Sequence, residues 1–251
     1  MRGAGLLLVS TLLFSAGCGK KGPLIYPDML IAQPPRNLIL MQSGLSLRIS
    51  FDLPDKDLSG RKLDDLEALL IARRVYSGST SVSCQDPFID LYRINLAGPS
   101  AADRQGNHIS WVDTDTRKGE RYQYQLKTIQ KGEMNGKAVS TAIAAVFTPP
   151  FPPVLKVHSI FGGAIRIDLS GASQADTSFV SYLLYRSEGG SGQPQLLAVL
   201  PTGSSSYEDQ AVQRGTVYHY VARMSVKRPD GIVAESELSA PVLVSVADDP
   251  Q

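Results

Sequence analysis

The chain has 251 residues, 25 Lys and Arg against 24 Asp and Glu, 43% hydrophobic residues and only two cysteines. The balanced charge excludes the basic excess that nucleic-acid binding needs, and the apolar content excludes an intrinsically disordered chain. Its length allows one large domain or two of ordinary size.

The chain opens on a short basic start, Met1-Arg2, followed by an apolar run from Leu6 to Phe14 and the small residues Ser15-Ala16-Gly17. That run is too short to cross a bilayer, which takes roughly 20 residues. It has the length of a signal-peptide core ending at a small-residue cleavage site. With Cys18 directly after it, the segment resembles the bacterial lipobox, Ala16 and Gly17 matching and Ser15 standing where Leu is usual. The resemblance implies a signal peptide over 1–17, a diacylglycerol on the Cys18 thiol and acylation of its new amine. Two or more chains hold a protein stably on a membrane without any spanning helix.

Residues 18–33 read as a lipidated tether, because Gly and Pro keep it out of helix and sheet. Lys20 and Lys21 suit anionic headgroups. Cys18-Gly19-Lys20-Lys21-Gly22-Pro23-Leu24 is similar to the start of the small LptM-type lipoproteins, which assist assembly of the lipopolysaccharide translocon. This resemblance implies a Gram-negative envelope. Gly19, rather than Asp, after the lipid-bearing residue favours the outer membrane.

Two proline boundaries follow, at Pro34-Pro35 and at Pro149-Pro150-Phe151-Pro152-Pro153. The second predicts a stiff polyproline-like joint over 149–153. The same unit stands on either side, over 34–148 and 154–247. Trp111-Val112-Asp113 matches Tyr207-Glu208-Asp209, and Lys118-Gly119-Glu120-Arg121-Tyr122-Gln123-Tyr124 matches Arg214-Gly215-Thr216-Val217-Tyr218-His219-Tyr220. Carried on to Ser140 with Ser236 and Val146 with Val242, the spacing stays at 96 residues, which predicts no gap in this half. Pro34-Pro35 with Pro152-Pro153 and Leu47-Arg48-Ile49 with Ile165-Arg166-Ile167 are 118 apart. The first unit therefore holds an insertion of about 22 residues between about 54 and 110, including Pro54 to Asp65 and Gly78 to Pro87.

Each unit reads as β. Leu45, Leu47, Ile49, Phe51 and Leu53 alternate with polar residues, as do Tyr122, Tyr124 and Leu126 in the first unit. Val242, Val244 and Val246 alternate at the end of the second. That is the period of a strand with one buried face. The run from Ile71 to Tyr76 reads as a further strand, aligned with Tyr182 to Arg186. The proline-led start, the alternating second strand and Asp-x5-Gly-x2-Tyr-x-Tyr resemble the fibronectin type III family. The resemblance implies two tandem immunoglobulin-like β-sandwiches, all β. It also implies a tyrosine corner in each, at Gly119 with Tyr122 and at Gly215 with Tyr218. Phe51 and Leu169 stand in for the family's buried Trp.

Little in the sequence points to chemistry. Asp113-x-Asp115-x-Arg117-x-Gly119 has the outline of a calcium loop, but Arg117 occupies a ligand position and the repeat keeps only Asp209. His108, His158 and His219 lack metal-ligand spacing, and no nucleophile elbow, zinc-protease motif or phosphate loop appears. No catalytic residue, metal, cofactor or small-molecule substrate is implied. Cys84, inside the insertion, is left as a candidate contact or intermolecular-disulfide residue, since lipid on Cys18 leaves it without an intramolecular partner. The expectation is a non-enzymatic envelope lipoprotein whose sandwiches bind an unidentified envelope protein or act as a spacer. The alternative is a carbohydrate- or surface-binding adhesion module.

Overall fold

A computed structural model describes residues 24, 26–76, 87–98, 102–160, 163–171, 178–189 and 192–246. The signal segment, Cys18, the two tether lysines and Cys84 lie outside the described residues. No described helix is long and apolar enough to cross a membrane.

The first unit contains β1 (Arg36–Ser43), β2 (Ser46–Asp52), β3 (Leu66–Tyr76), β4 (Ile89–Asn95), β5 (Asp103–Gln105), β6 (His108–Asp113), β7 (Arg121–Gln130), β8 (Met134–Asn135), β9 (Val139–Ser140) and β10 (Ala144–Ala145). The second contains β11 (Val154–Ile160), β12 (Ala164–Ser170), β13 (Ser178–Glu188), β14 (Gln195–Pro201), β15 (Ser206–Asp209), β16 (Val217–Lys227), β17 (Val233–Glu235) and β18 (Val242–Ser245). In the first unit β1-β2-β6 faces the sheet β10-β7-β3-β4; in the second β11-β12-β15 faces β14-β13-β16 with β17 and β18. Both are immunoglobulin-like sandwiches with the strand order of fibronectin type III domains.

Period-two patterning fills both cores. Leu47, Ile49 and Phe51 of β2 are fully buried against Leu69 and Ile71 of β3 and Tyr122, Tyr124 and Leu126 of β7. Ile165, Ile167 and Leu169 of β12 pack in the same way on Leu184, Tyr218, Tyr220 and Met224. Trp111 lies in the first core, stacked at 5.6 Å on Tyr92.

The two sandwiches are not beads on a joint. β17 of the second unit pairs in parallel with the end of β1, setting Met41 opposite Val233, Gln42 opposite Ala234 and Ser43 opposite Glu235. One sheet therefore runs β14-β13-β16-β17-β1-β2-β6-β5 through the whole molecule. The two smaller sheets cover the same side of it, because Leu40 on β1 and Ala234 on β17 both point into cores. At 4.8 Å per strand, eight lanes span about 34 Å.

Four sequence expectations need correction. The repeat does contain a gap in its second half. Tyr122 pairs with Ala144, but Tyr218 pairs with Val244, so the second unit has four more residues before its last strand. Buried Val146 is equivalent to buried Val246, not to Val242. Leu45 is not a core strand residue. It sits exposed in the two-residue turn with Gly44 that joins β1 to β2. The insertion is spread over three loops, because 96–107, which carries β5, is also longer than its counterpart between β14 and β15.

The fourth concerns the tether. Its last residues are not free but strapped to the first unit. Ala32 bridges Asp57, and Ser59, Leu58 and Gln33 bond backbone to backbone with Met29, Ile31 and Lys56 in register. The Gln130 side chain accepts the Ala32 N–H at 2.7 Å. Proline and glycine excluded regular strand here, but the insertion loop supplies partners that the tether's own composition does not reveal.

Asp57 organises that loop. Its carboxylate accepts both the N–H and the hydroxyl of Ser59, and the N–H and guanidinium of Arg61. The Ser59 hydroxyl, opposed by burial and aided by Arg61, holds its pKa down at about 2. A depressed carboxylate stabilises above its unfolded value and loses that contribution as pH falls through the folded value. The strap should therefore be fully held above about pH 4 and released between about 4 and 2. An NMR titration of Asp57 should give a midpoint near 2; a midpoint at the ordinary Asp value would show that the loop is not built on this group.

Candidate functional site

Three groups of residues stand out: the two tyrosine corners, a buried ion-pair cluster that occurs twice, and the seam between the units. In the first corner Gly119 adopts φ +88°, which only glycine takes without strain, and Gly215 does the same at +75°. The turn brings the Tyr122 hydroxyl to the Arg117 N–H at 2.8 Å, and the Tyr218 hydroxyl to the Gln213 N–H at 2.9 Å. Burial, with a hydrogen bond donated to Glu120, pushes the Tyr122 hydroxyl up to about 12, so it stays neutral. Tyr122→Phe should cost about 1–2 kcal/mol, since it removes the acceptor of one part-buried N–H and a donor to Glu120. Tyr218→Phe, which has no such Glu, should cost less. Chemical denaturation of the two variants tests the order.

Beside each corner lies a three-residue cluster. Arg73 donates to Asp113 at 2.8 Å, and Tyr124 donates to the same Asp113 oxygen at 2.7 Å. Arg186, Asp209 and Tyr220 repeat this with the same two distances. The other oxygen of each Asp accepts an N–H two residues on, from Asp115 or Ala211, at 3.0 Å. The guanidiniums also bond the carbonyls of Asp115 and Ala211. Every strong group here is satisfied within the cluster, so it is a core staple. It uses Asp113 and Asp115 as a turn and an ion pair, not as cation ligands, and among the described residues no group of His, Cys, Asp and Glu could hold a metal ion. Sequence reading found the Asp and Tyr of each copy but not Arg73 and Arg186. The signal was there, in an Arg inside each third strand.

The seam is built from polar groups. Arg228 is buried, with its ring-stacking face 4.2 Å from Phe147, and donates to the Gln42 side-chain oxygen at 2.8 Å and to the Ala145 carbonyl at 2.9 Å. Asp230 neutralises it. Burial pulls the guanidinium down from its ordinary value, with Asp230 opposing, but an arginine remains charged. Gln42 also donates to the Phe147 and Gly44 carbonyls. A half-open cleft of about 340 Å³ lies beside the seam, lined by Phe147, Pro150, Val226, Arg228, Pro229 and Ala234.

On the opposite side the long sheet shows a face that no described strand covers. By register, Ile39, Met41, Val112 and Val233 share this face with Leu183, Tyr185 and Val199. Several are well exposed, Ile39 by 52% and Val199 by 54%. At its centre, where the units meet, lie Ser43, Arg48, Arg223 and Glu235. Sequence reasoning looked for contacts in the insertion instead. One part of that insertion, 54–65, is occupied by the strap; another, 78–86 with Cys84, lies outside the described residues.

No family model matches the chain, and no curated protein matches it. Among solved structures, the FN1–FN3 domains of chicken CNTN1 align with 87% of this chain and 68% of that one, at 13% identity and a TM-score of 0.40. The fold assignment accordingly rests on the strand order and registers of the two sandwiches themselves.

Proposed function

We propose that the chain is a non-enzymatic lipoprotein of a Gram-negative envelope, anchored through acyl chains on Cys18 and favouring the outer membrane, whose fused sandwiches bind a protein partner. The observation that carries the binding part is the uncovered, apolar-rich face of the eight-lane sheet. Ile39, Val112 and Val199 stand exposed on it, and apolar residues grouped on one uncovered face with a polar centre suit an interaction surface. The anchor rests on the segment from Met1 to Cys18.

In-cell crosslinking and pull-down of the lipidated protein, with Cys18→Ser as control, tests both parts. A reproducible protein partner lost in the control is the expected result. Retention on polysaccharide or cell-wall resin with no protein partner would overturn it in favour of a carbohydrate-binding module.

A further inference from the structure

The centre of the uncovered face has more donors than it can use. Arg48 of the first unit and Arg223 of the second converge on one hydroxyl, with guanidinium nitrogens 3.4 Å and 2.9 Å from Ser43 Oγ. Among the described residues one carboxylate, Glu235, is within ion-pair distance, and it reaches only Arg48, at a long 3.3 Å. Arg223 spends its Nη1 on Ser43 and on the Ser236 carbonyl at 2.9 Å. Among the described residues, its Nε and Nη2, and the Nε of Arg48, have no hydrogen-bond acceptor. Nearby, Tyr185 lies within electrostatic reach of Glu235, Arg223 and Arg48, and burial raises its pKa so that its hydroxyl remains a donor. The contrast with Arg73 is direct: that arginine reaches two carboxylates and a carbonyl at 2.7–3.0 Å.

We infer that this junction is an anion-recognising contact, where a carboxylate of an acidic, apolar-flanked segment of a protein partner sits between Arg48 and Arg223. The inference rests on the protein-binding reading above. Charge complementarity selects the occupant. Arg48, Arg223 and Lys227 stand on this part of the face against Glu235 and Glu237, whose carboxylate lies beside Gly44, a local excess of +1 that disfavours a second copy of this chain laid symmetrically on the same face. The apolar residues around it, Met41, Val112, Val233 and Leu183, suit the side chains that flank such a carboxylate on a strand. Because one arginine comes from each unit, the ligand would bind to both sandwiches at once.

The test is fluorescence anisotropy with the lipidated full chain in neutral detergent. The probe is a labelled nine-residue peptide of alternating Val and Thr with two central Glu, alongside its Gln counterpart. The Glu peptide should bind at least tenfold more tightly than the Gln peptide, and R48Q/R223Q should remove that difference. Glu235→Gln, which deletes the competing carboxylate and keeps both arginines, should tighten binding severalfold. It carries the test alone if thermal melts show that the double variant does not fold. Equal binding of the two peptides, unchanged binding by a folded double variant, or unchanged or weaker binding by Glu235→Gln overturns the inference. So does binding of phosphatidylglycerol vesicles through these arginines without binding of the peptide. A partner captured in cells whose yield is the same with R48Q/R223Q sinks this inference but not the protein-binding reading. Arginine-dependent peptide binding with no cellular protein partner sinks that reading alone.

Discussion

Asp209→Ala is expected to destabilise the second sandwich by about 3–5 kcal/mol, the range for breaking a buried ion pair by removing one partner. Asp209 is 1% exposed, and its two oxygens serve Arg186, the Tyr220 hydroxyl and the Ala211 N–H. The variant leaves the Arg186 guanidinium with only Glu188, at 3.9 Å, for counter-charge, and two donors without an acceptor. Asp209→Asn should recover the turn but not the charge, and fall between. The cluster supplies its own control, since Asp113→Ala should destabilise the first sandwich by less, because Arg73 keeps the Asp115 carboxylate at 3.0 Å. The chain has a single tryptophan, Trp111, in the first core. Denaturant unfolding followed by fluorescence thus reports the first unit, while circular dichroism reports both. Asp113→Ala should move the fluorescence transition directly, and Asp209→Ala should move the dichroism transition first. A loss below about 1 kcal/mol in either variant would show that the pair is replaceable by solvent, as exposed pairs are.

Arg228→Ala should have the second largest effect, and of a different kind. It strands the Ala145 carbonyl, leaves the Gln42 side-chain oxygen with only the Phe147 N–H at 3.2 Å, takes the ion-pair partner from Asp230 and widens the cleft beside Phe147. A buried, charge-assisted group of this sort is worth about 3 kcal/mol. The loss falls on the attachment between sandwiches, since Arg228 belongs to neither core. Unfolding that is one cooperative transition in the parent should split into two. Exchange of the Gly44 amide, which bonds to the Glu235 carbonyl across the seam, should accelerate while the amides of β7 stay protected. An unsplit transition with unchanged Gly44 exchange would show that the parallel strand pairing alone fuses the units.

What could be read from sequence follows from the range of each signal. The alternation of Leu47, Ile49 and Phe51, and the recurring Gly-x2-Tyr-x-Tyr, are local patterns. They led to strands, sandwiches and the residues of both corners. The pairing of β1 with β17 joins residues almost 200 positions apart through backbone groups, which carry no side-chain signature. Arg48 and Arg223 looked like ordinary outward positions of amphipathic strands, and only the shared Ser43 shows that they meet. The gap before β18 escaped notice because Val242 and Val246 both continue a period-two pattern, so a four-residue shift preserves the alternation. The strap escaped because its partners, Asp57 and Gln130, are polar residues in loop and strand-end positions whose role depends on what lies against them.

The strap also sets a leash. Its first backbone hold is at Met29, which accepts the Ser59 N–H, eleven residue steps from Cys18. Fully extended, they reach about 40 Å at most. With lipid on Cys18, the end of the first sandwich that carries the 54–65 loop stays within that radius of the bilayer surface. The seam lies at the far end of β1 from this attachment. The lipid would thus keep the first sandwich within reach of the bilayer while the seam carries the second away from it, so that a partner's height above the membrane, and not only its sequence, decides which half of the sheet it meets.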